Sequence, residues 1–245
     1  MRTAVVTGAG RGIGRAIAVR LAADGFSVAC VDLDGSSAET AAVETGGSAH
    51  VCDVGDRAAV VELAAELVAG GADVAALVCN AGIWRHASLG AMTDGDVRAV
   101  VGTNLLGTLW CAQAFAPSMS AAGSGAIVCV SSAAATTRSP GTGIYPASKA
   151  AVEALAAQLA LELGPSGIRV NTVAPGIVLT EGTAERYGAG DTDLAERARR
   201  AVPLRTLGQP QDVAEVVAFL VSDAARYVTG EVVHVDGGLT AGLRG

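Results

Sequence analysis

Seven short apolar runs, none of them alternating with polar residues, punctuate the chain at 4–7, 27–31, 49–52, 75–79, 126–131, 169–174 and 232–235. A strand with one wet face alternates, whereas a strand covered on both faces does not. These runs therefore read as parallel strands sandwiched between helices. Helical periodicity lies between them, at 14–24, 56–68, 93–119 (long enough for two helices), 145–163 and 211–222. Strand–helix alternation along the whole length predicts an α/β fold: a doubly wound parallel sheet with helices on both faces. No linker, repeat or composition break divides 1–245, so one domain is expected. The stretch 176–205 breaks the rhythm. It mixes Gly, Thr, Glu and Arg and is too long for an ordinary connection, which suggests a lid over a ligand site.

The first run leads directly into Thr7-Gly8-Ala9-Gly10-Arg11-Gly12-Ile13-Gly14. Glycines cost conformational entropy on folding, so four of them within seven positions call for a reason. The strict pattern G-x-G-x-x-G is not met, because its third glycine would fall on Ile13. What is met is Thr-Gly-x-x-x-Gly-x-Gly, through Gly8, Gly12 and Gly14. One glycine can make the tight turn out of the strand, another can let backbone approach a pyrophosphate, and a third can pack the helix close to the sheet. The phosphate would then sit at the helix N-terminus, where free N–H groups point. Asp32 ends the second run, 18 residues beyond Gly14. A carboxylate there accepts hydrogen bonds from an adenosine ribose and repels a 2′-phosphate, which favours NAD over NADP. Arg11 pulls the other way, since a cation in the loop could pair with a 2′-phosphate. Asp34 lies beside Asp32 and no basic residue follows, so the acid is given more weight.

Composition excludes other classes. Hydrophobic residues make up 51% and charged residues 17%, enough apolar material for a large core. A net charge of −7 argues against nucleic acid or an anionic membrane as partner. No signal-like N-terminus and no sufficiently long, charge-free apolar run is evident, so a cytoplasmic protein is expected. Cys30, Cys52, Cys79, Cys111 and Cys129 form no C-x-x-C pair, and their odd number suits reduced core thiols. His50 with Cys52 falls short of a metal-ligand pattern, and no metal is expected.

Further motifs follow in order: Asn80-Ala81-Gly82, Asn104, Val130-Ser131-Ser132, Tyr145-Pro146-Ala147-Ser148-Lys149, Pro175-Gly176 and Val235-Asp236-Gly237-Gly238. Together with the glycine stretch they closely resemble the classical short-chain dehydrogenase/reductase family over almost the whole chain. The resemblance implies a Rossmann-type doubly wound sheet of about seven parallel strands, a nicotinamide cofactor, commonly a homotetramer, and a catalytic set of Asn104, Ser132, Tyr145 and Lys149. It makes Asn104 the holder of a water in a proton relay to Lys149, and Ser132 rather than Ser131 the catalytic serine. It also implies cofactor contacts from Asp53 and Val54 to the adenine, and from Asn80, Ala81 and Gly82 beneath the ribose. Pro175, Gly176 and Val178 would border the nicotinamide, with Thr180 near its carboxamide or phosphate. The chemistry of the residues agrees. Tyr145 and Lys149, four apart, share a helix face. An ammonium and an oxidised nicotinamide both favour the phenolate, moving a phenol with an ordinary pKa of about 10 towards useful proton transfer.

The reading is an oxidoreductase moving a hydride between NAD(H) and a secondary alcohol or ketone. Trp84, Arg85, His86, 133–138, Gly143, Ile144 and the lid would flank the substrate. A 3-oxoacyl-acyl-carrier-protein reductase using NADPH is the alternative. It is weakened by Asp32, and by Ala126 and Ser166 where such reductases are expected to carry arginine. A non-catalytic dinucleotide-binding regulator would not need the phenol–ammonium pair, and an esterase lacks a G-x-S-x-G elbow. The charge-poor segments 105–119 and 145–163 predict a homo-oligomer, tetramer or dimer, built on these helices.

Overall fold

The computed structural model describes residues 1–187 and 192–243. In chain order its elements are β1 (Arg2–Thr7), α1 (Gly12–Ala23), β2 (Ser27–Asp32), α2 (Gly35–Thr45), β3 (Ser48–Val51), α3 (Arg57–Ala69), β4 (Asp73–Cys79), α4 (Asp94–Val101) and α5 (Gly107–Ala122). Then follow β5 (Gly125–Val130), α6 (Ala134–Thr137), α7 (Tyr145–Leu163), β6 (Ile168–Pro175), α8 (Glu181–Tyr187), α9 (Thr192–Ala201), α10 (Pro210–Val221) and β7 (Val232–Val235). The seven strands form one all-parallel sheet in the order β3-β2-β1-β4-β5-β6-β7. The order reverses between β1 and β4, and ligands of open α/β sheets bind at such a point, beyond the carboxyl ends of the strands.

Period-two alternation sorts each strand between two cores. Val5, Val31, Leu77, Cys79, Ile127 and Cys129 face α3, α5 and α7, where Leu63, Phe115, Met119 and Leu159 meet them. Val6, Cys30, Val78, Val128 and Val130 face α1, α2 and α10, with Ile17, Leu21, Ala41 and Val217. All five cysteines are buried free thiols.

Several findings differ from the sequence reading, which anticipates none of α2, α6, α8 and α9 as helices. Helix α2 has no counterpart in it. Its sequence, GSSAETAAVET, is a weak helix former, but Asp34 caps it by accepting from Ser36 N and Ser37 N. The segment 93–119 does hold two helices, as expected, but the chain between them does not leave the helical path. These are α4 and α5, joined through a π-helical turn, Gly102–Leu106. Within the stretch Asp94–Ala122 an 18-residue window reaches a mean hydropathy of 1.2, long and apolar enough by composition alone to cross a membrane. In the structure Cys111, Phe115 and Met119 bury its apolar side on the sheet. Finally, Ala126 cannot stand at a site entrance. It is 3% exposed in β5, in register with Ala76 and Arg169.

Candidate active site

The chain leaves β1 at Thr7 and turns at Gly8, whose φ of +64° is left-handed. It then enters α1 so closely that a Cβ on Gly14 would lie 1.9 Å from the Gly8 carbonyl oxygen. Arg11 precedes the helix in extended backbone and is exposed. Ile13 packs against the α1-side core. Asn80 bolts the turn to β4: its side-chain amide donates to Thr7 O (2.9 Å) and Gly8 O (3.1 Å). The Thr7 hydroxyl in turn accepts from Asn80 N (3.0 Å) and Ala81 N (3.1 Å). Asp32 sits beside the turn, accepting from Gly10 N (2.9 Å) and Asp34 N (3.1 Å). Asp53, exposed past the end of β3, accepts from Gly55 N. Val54 turns its side chain into the core next to Gly107, so only its backbone is left to face a ligand.

From the other side, Gly176 N donates to Val235 O, and Pro175 O accepts from Ala133 N. Val178 is buried. The Thr180 side chain would lie 3.3 Å from a Cβ on Gly12, and Glu181, the next residue, accepts from Gly12 N at 3.1 Å. A carboxylate therefore already stands at a backbone N–H of the α1 N-terminus. That is the behaviour expected of an anion cradle, and the residues present fit a dinucleotide pyrophosphate. Residues 188–191 of the expected lid lie outside the described residues. The described remainder contains α8 and α9.

Ser132, Tyr145, Lys149 and Asn104 converge where β4 and β5 end. Lys149 is 4% exposed, donates from Nζ to Val130 O (2.8 Å) and has Nζ 5.9 Å from the Tyr145 ring centre. The Ser132 hydroxyl accepts from Ala134 N (3.1 Å) at the start of α6. Asn104 is fully buried in the π-helical turn. Its Oδ1 accepts from Ile83 N (2.8 Å), and its Nδ2 donates to Ile83 O (2.9 Å) and Ser148 Oγ (3.0 Å). A Cβ on Gly82 would stand 3.2 Å from Lys149 Nζ and 3.4 Å from Asn104 Oδ1, so the glycine leaves a gap that both groups border. Trp84 meets Tyr145 edge to face (6.4 Å) and donates to His86 Nε2 (2.9 Å).

Burial governs the titration of this cluster. It pushes the Tyr145 phenol above its ordinary value, partly offset by the Ser132 hydroxyl. It lowers the Lys149 ammonium to about 8, opposed by the neighbouring Cys129 and Cys79 thiols. The expected fall in the Tyr145 pKa is thus not a property of the protein groups alone. Lys149 is also the chain's single lysine among 17 basic residues, the others all being arginine. An arginine cannot lose its charge on burial, whereas a lysine can, which accounts for this residue type at this place.

Sequence reasoning did not reach Glu181, nor Ser148 as the Asn104 partner, nor Glu153, which accepts from Ser131 Oγ at 2.7 Å. The direction of the Ser131 side chain is fixed only by the tertiary structure.

A family model described as enoyl-(acyl carrier protein) reductase matches residues 8–240. An uncharacterized short-chain type dehydrogenase/reductase of Sinorhizobium fredii is 38% identical, over 97% of either chain. The 3-oxoacyl-(acyl-carrier-protein) reductase FabG of Staphylococcus aureus is 39% identical, over 97% of this chain and 98% of its own. Among solved structures, a candidate NAD(P)-dependent gluconate 5-dehydrogenase of Beutenbergia cavernae with bound NADP is 39% identical. It superposes with a TM-score of 0.88, over 98% of this chain and 97% of its own. With the parallel sheet and the site at its carboxyl edge, these likenesses identify the chain as a member of the short-chain dehydrogenase/reductase family, an NAD(P)-dependent oxidoreductase acting on alcohol or ketone groups.

Proposed function

We propose that the protein is an NAD-preferring dehydrogenase or ketone reductase for a small or medium secondary alcohol, with Tyr145 as its proton-transfer group. The observation that carries this reading is the sole lysine of the chain, buried one helical turn after Tyr145 beside the dinucleotide cradle. Backbone of Gly8, Arg11, Gly12, Ile13 and Gly14 holds the pyrophosphate, and Asp32 the adenosine ribose. Asp53 and the Val54 backbone face the adenine, and Asn80, Ala81 and Gly82 support the ribose. Pro175, Gly176, Val178 and Thr180 border the nicotinamide. When bound, an oxidised nicotinamide ring supplies the hydride acceptor and a positive charge that favours the phenolate.

Ser132 donates a hydrogen bond to the substrate oxygen as charge develops there. Tyr145 takes the hydroxyl proton of an alcohol, or returns it to a ketone. Lys149 steadies the phenolate. A water in the gap left by Gly82, between Lys149 Nζ and Asn104 Oδ1, passes the proton towards solvent. Residues 176–205 act as the lid of a single 1–245 domain. The protein works as a homo-oligomer, tetramer or dimer, in the cytoplasm, where five buried free thiols stay reduced.

The test is one titration on three proteins, following nicotinamide fluorescence with NADH and NADPH, together with turnover. Wild type binds NADH more tightly. Asp32→Ala narrows or reverses that preference. Tyr145→Phe keeps NADH affinity but loses about 10²–10⁴ in turnover, the range of a general acid–base group. Near-normal turnover in Tyr145→Phe overturns its role, and an unchanged cofactor ratio in Asp32→Ala overturns the selector. The 39% identity to FabG supports a 3-oxoacyl reductase as second reading. Tight NADPH binding with reduction of acetoacetyl thioesters selects it.

A further inference from the structure

Next to the catalytic groups, Ser131 and Glu153 form a contact that the proposed mechanism does not use. Three consecutive residues at the end of β5 engage α7. Val130 O accepts from Lys149 Nζ (2.8 Å). The Ser131 hydroxyl, 3% exposed, reaches both Glu153 Oε1 (2.7 Å) and Lys149 O (3.1 Å). Ser132, whose hydroxyl acts on the Tyr145 phenol, comes next. Ser131 N is itself fixed by Val173 O (2.8 Å) in β6. Tyr145, Lys149 and Glu153 lie four apart on α7 and thus along one stripe of the helix. The polar residues further along behave differently: Gln158 bonds Glu162 on the exposed side.

We infer that Ser131 and Glu153 are positioning residues, a clamp that sets how far α7 slides along β5 and so fixes Lys149 and Tyr145 relative to Ser132. This inference rests on the catalytic reading above for its effect on turnover, but not for its structural content. Apolar contacts are non-directional, so a helix that rests on them alone is weakly fixed along its axis. Here α7 presents Val152, Ala156, Leu159 and Ala160 to the core, with Leu155 and Leu163 packed beside them. A hydrogen bond from a buried hydroxyl to a carboxylate is directional and charge-assisted, and it supplies the missing register. The groups facing Lys149 Nζ are Val130 O, the Cys79 and Cys129 thiols and the Tyr145 ring. A slide of α7 exchanges all of them at once.

The single lysine makes the test direct. Protein labelled with ¹³C-lysine gives one side-chain signal, and its shift against pH reads the protonation of Lys149 with no substrate or cofactor present. In wild type the midpoint lies near 8. In Ser131→Ala and in Glu153→Ala, release of α7 admits water, and the midpoint climbs by about one pH unit or more towards the ordinary value. Glu153→Gln, whose amide oxygen accepts the same bond, keeps it low. Should Glu153→Ala fail to fold, Ser131→Ala, which removes only a hydroxyl, carries the test alone. An unmoved midpoint in the alanine variants overturns the clamp, and so does Glu153→Gln behaving like Glu153→Ala.

Reduction of ethyl acetoacetate gives the second readout. The alanine variants lose about tenfold to a hundredfold in kcat, while KM and NADH affinity stay within about twofold. If wild type binds neither NADH nor NADPH and reduces no ketone, the functional reading fails, and the lysine titration still decides the clamp.

Discussion

Lys149 gives the protein a stability signature that turnover alone would not reveal. In the unfolded chain its ammonium titrates near the ordinary 10.5, and in the folded protein near 8. Between those values the unfolded chain holds the proton and the folded one does not. Stability on this group's account therefore rises with pH from about 8 to about 10.5, and the full penalty is present below 8. A gap of about 2.5 units, at about 1.36 kcal/mol each, is about 3 kcal/mol. Lys149→Met removes the penalty but leaves Val130 O without its donor, which costs about 1 kcal/mol. Urea unfolding at pH 7 should show the variant more stable than wild type by roughly 1–3 kcal/mol, with the gain gone by about pH 10 and wild type the more stable above it. A destabilised variant at pH 7 would mean that the buried ammonium finds more compensation than Val130 O alone provides. Residues of this kind tend to be kept for chemistry, since a methionine would serve packing better.

At the scale of elements, the π-helical turn Gly102–Leu106 shows how one irregularity serves the site. It aims Asn104 back at Ile83 and sideways at Ser148, joining the 80–86 loop to the first turn of α7. Such bulges interrupt regular helices and recur at functional sites. Asn104→Asp keeps the shape but replaces both N–H donors with an acceptor aimed at Ile83 O and Ser148 Oγ. Two buried partners lose their bond, and the expected cost is about 2–4 kcal/mol, read as a lower midpoint in urea. The turn was not legible in the sequence, because TNLLG gives no signal for a wider helical winding. Helix α2 escapes the sequence reading for a related reason: Asp34 counts there as a second acid beside Asp32, whereas its carboxylate caps the helix. The strands were legible because burial on both faces leaves apolar runs that need no partner to be recognised. Tyr145 and Lys149 stand out in the sequence through the motif that resembles the family's, and their separation by a helical period agrees with it. Ser131 and Glu153, 22 positions apart on different elements, have no such local rhythm, and only the packing of α7 on β5 joins them.

For the molecule as a whole, one sheet with two unequal coverings accounts for both the site and the assembly we propose. On one side α1, α2 and α10 build the cradle and its support, while on the other α3, α5 and α7 complete the second core. Helix α7 is apolar nearly all round, yet Ala147, Ala154, Ala157 and Leu161 remain exposed, Leu161 by 75%. Beside it α5 exposes Pro117, and Leu106 is 37% exposed just before its start. A surface this smooth and poor in charge lets two copies approach closely, and burying it against a second copy removes apolar area from water at roughly 25 cal/mol per Å². Ala154 lies in the middle of the exposed line and off the stripe that Tyr145, Lys149 and Glu153 share. Ala154→Glu places a charge against its own symmetry mate in a two-fold contact, where burial leaves both carboxylates unpaired. Light scattering after size exclusion should show wild type as a dimer or tetramer and Ala154→Glu as a smaller species, with the helical circular dichroism retained. An unchanged mass would move the interface to another face of the sheet. A wild-type monomer would mean that the apolar line on α7 is left to solvent.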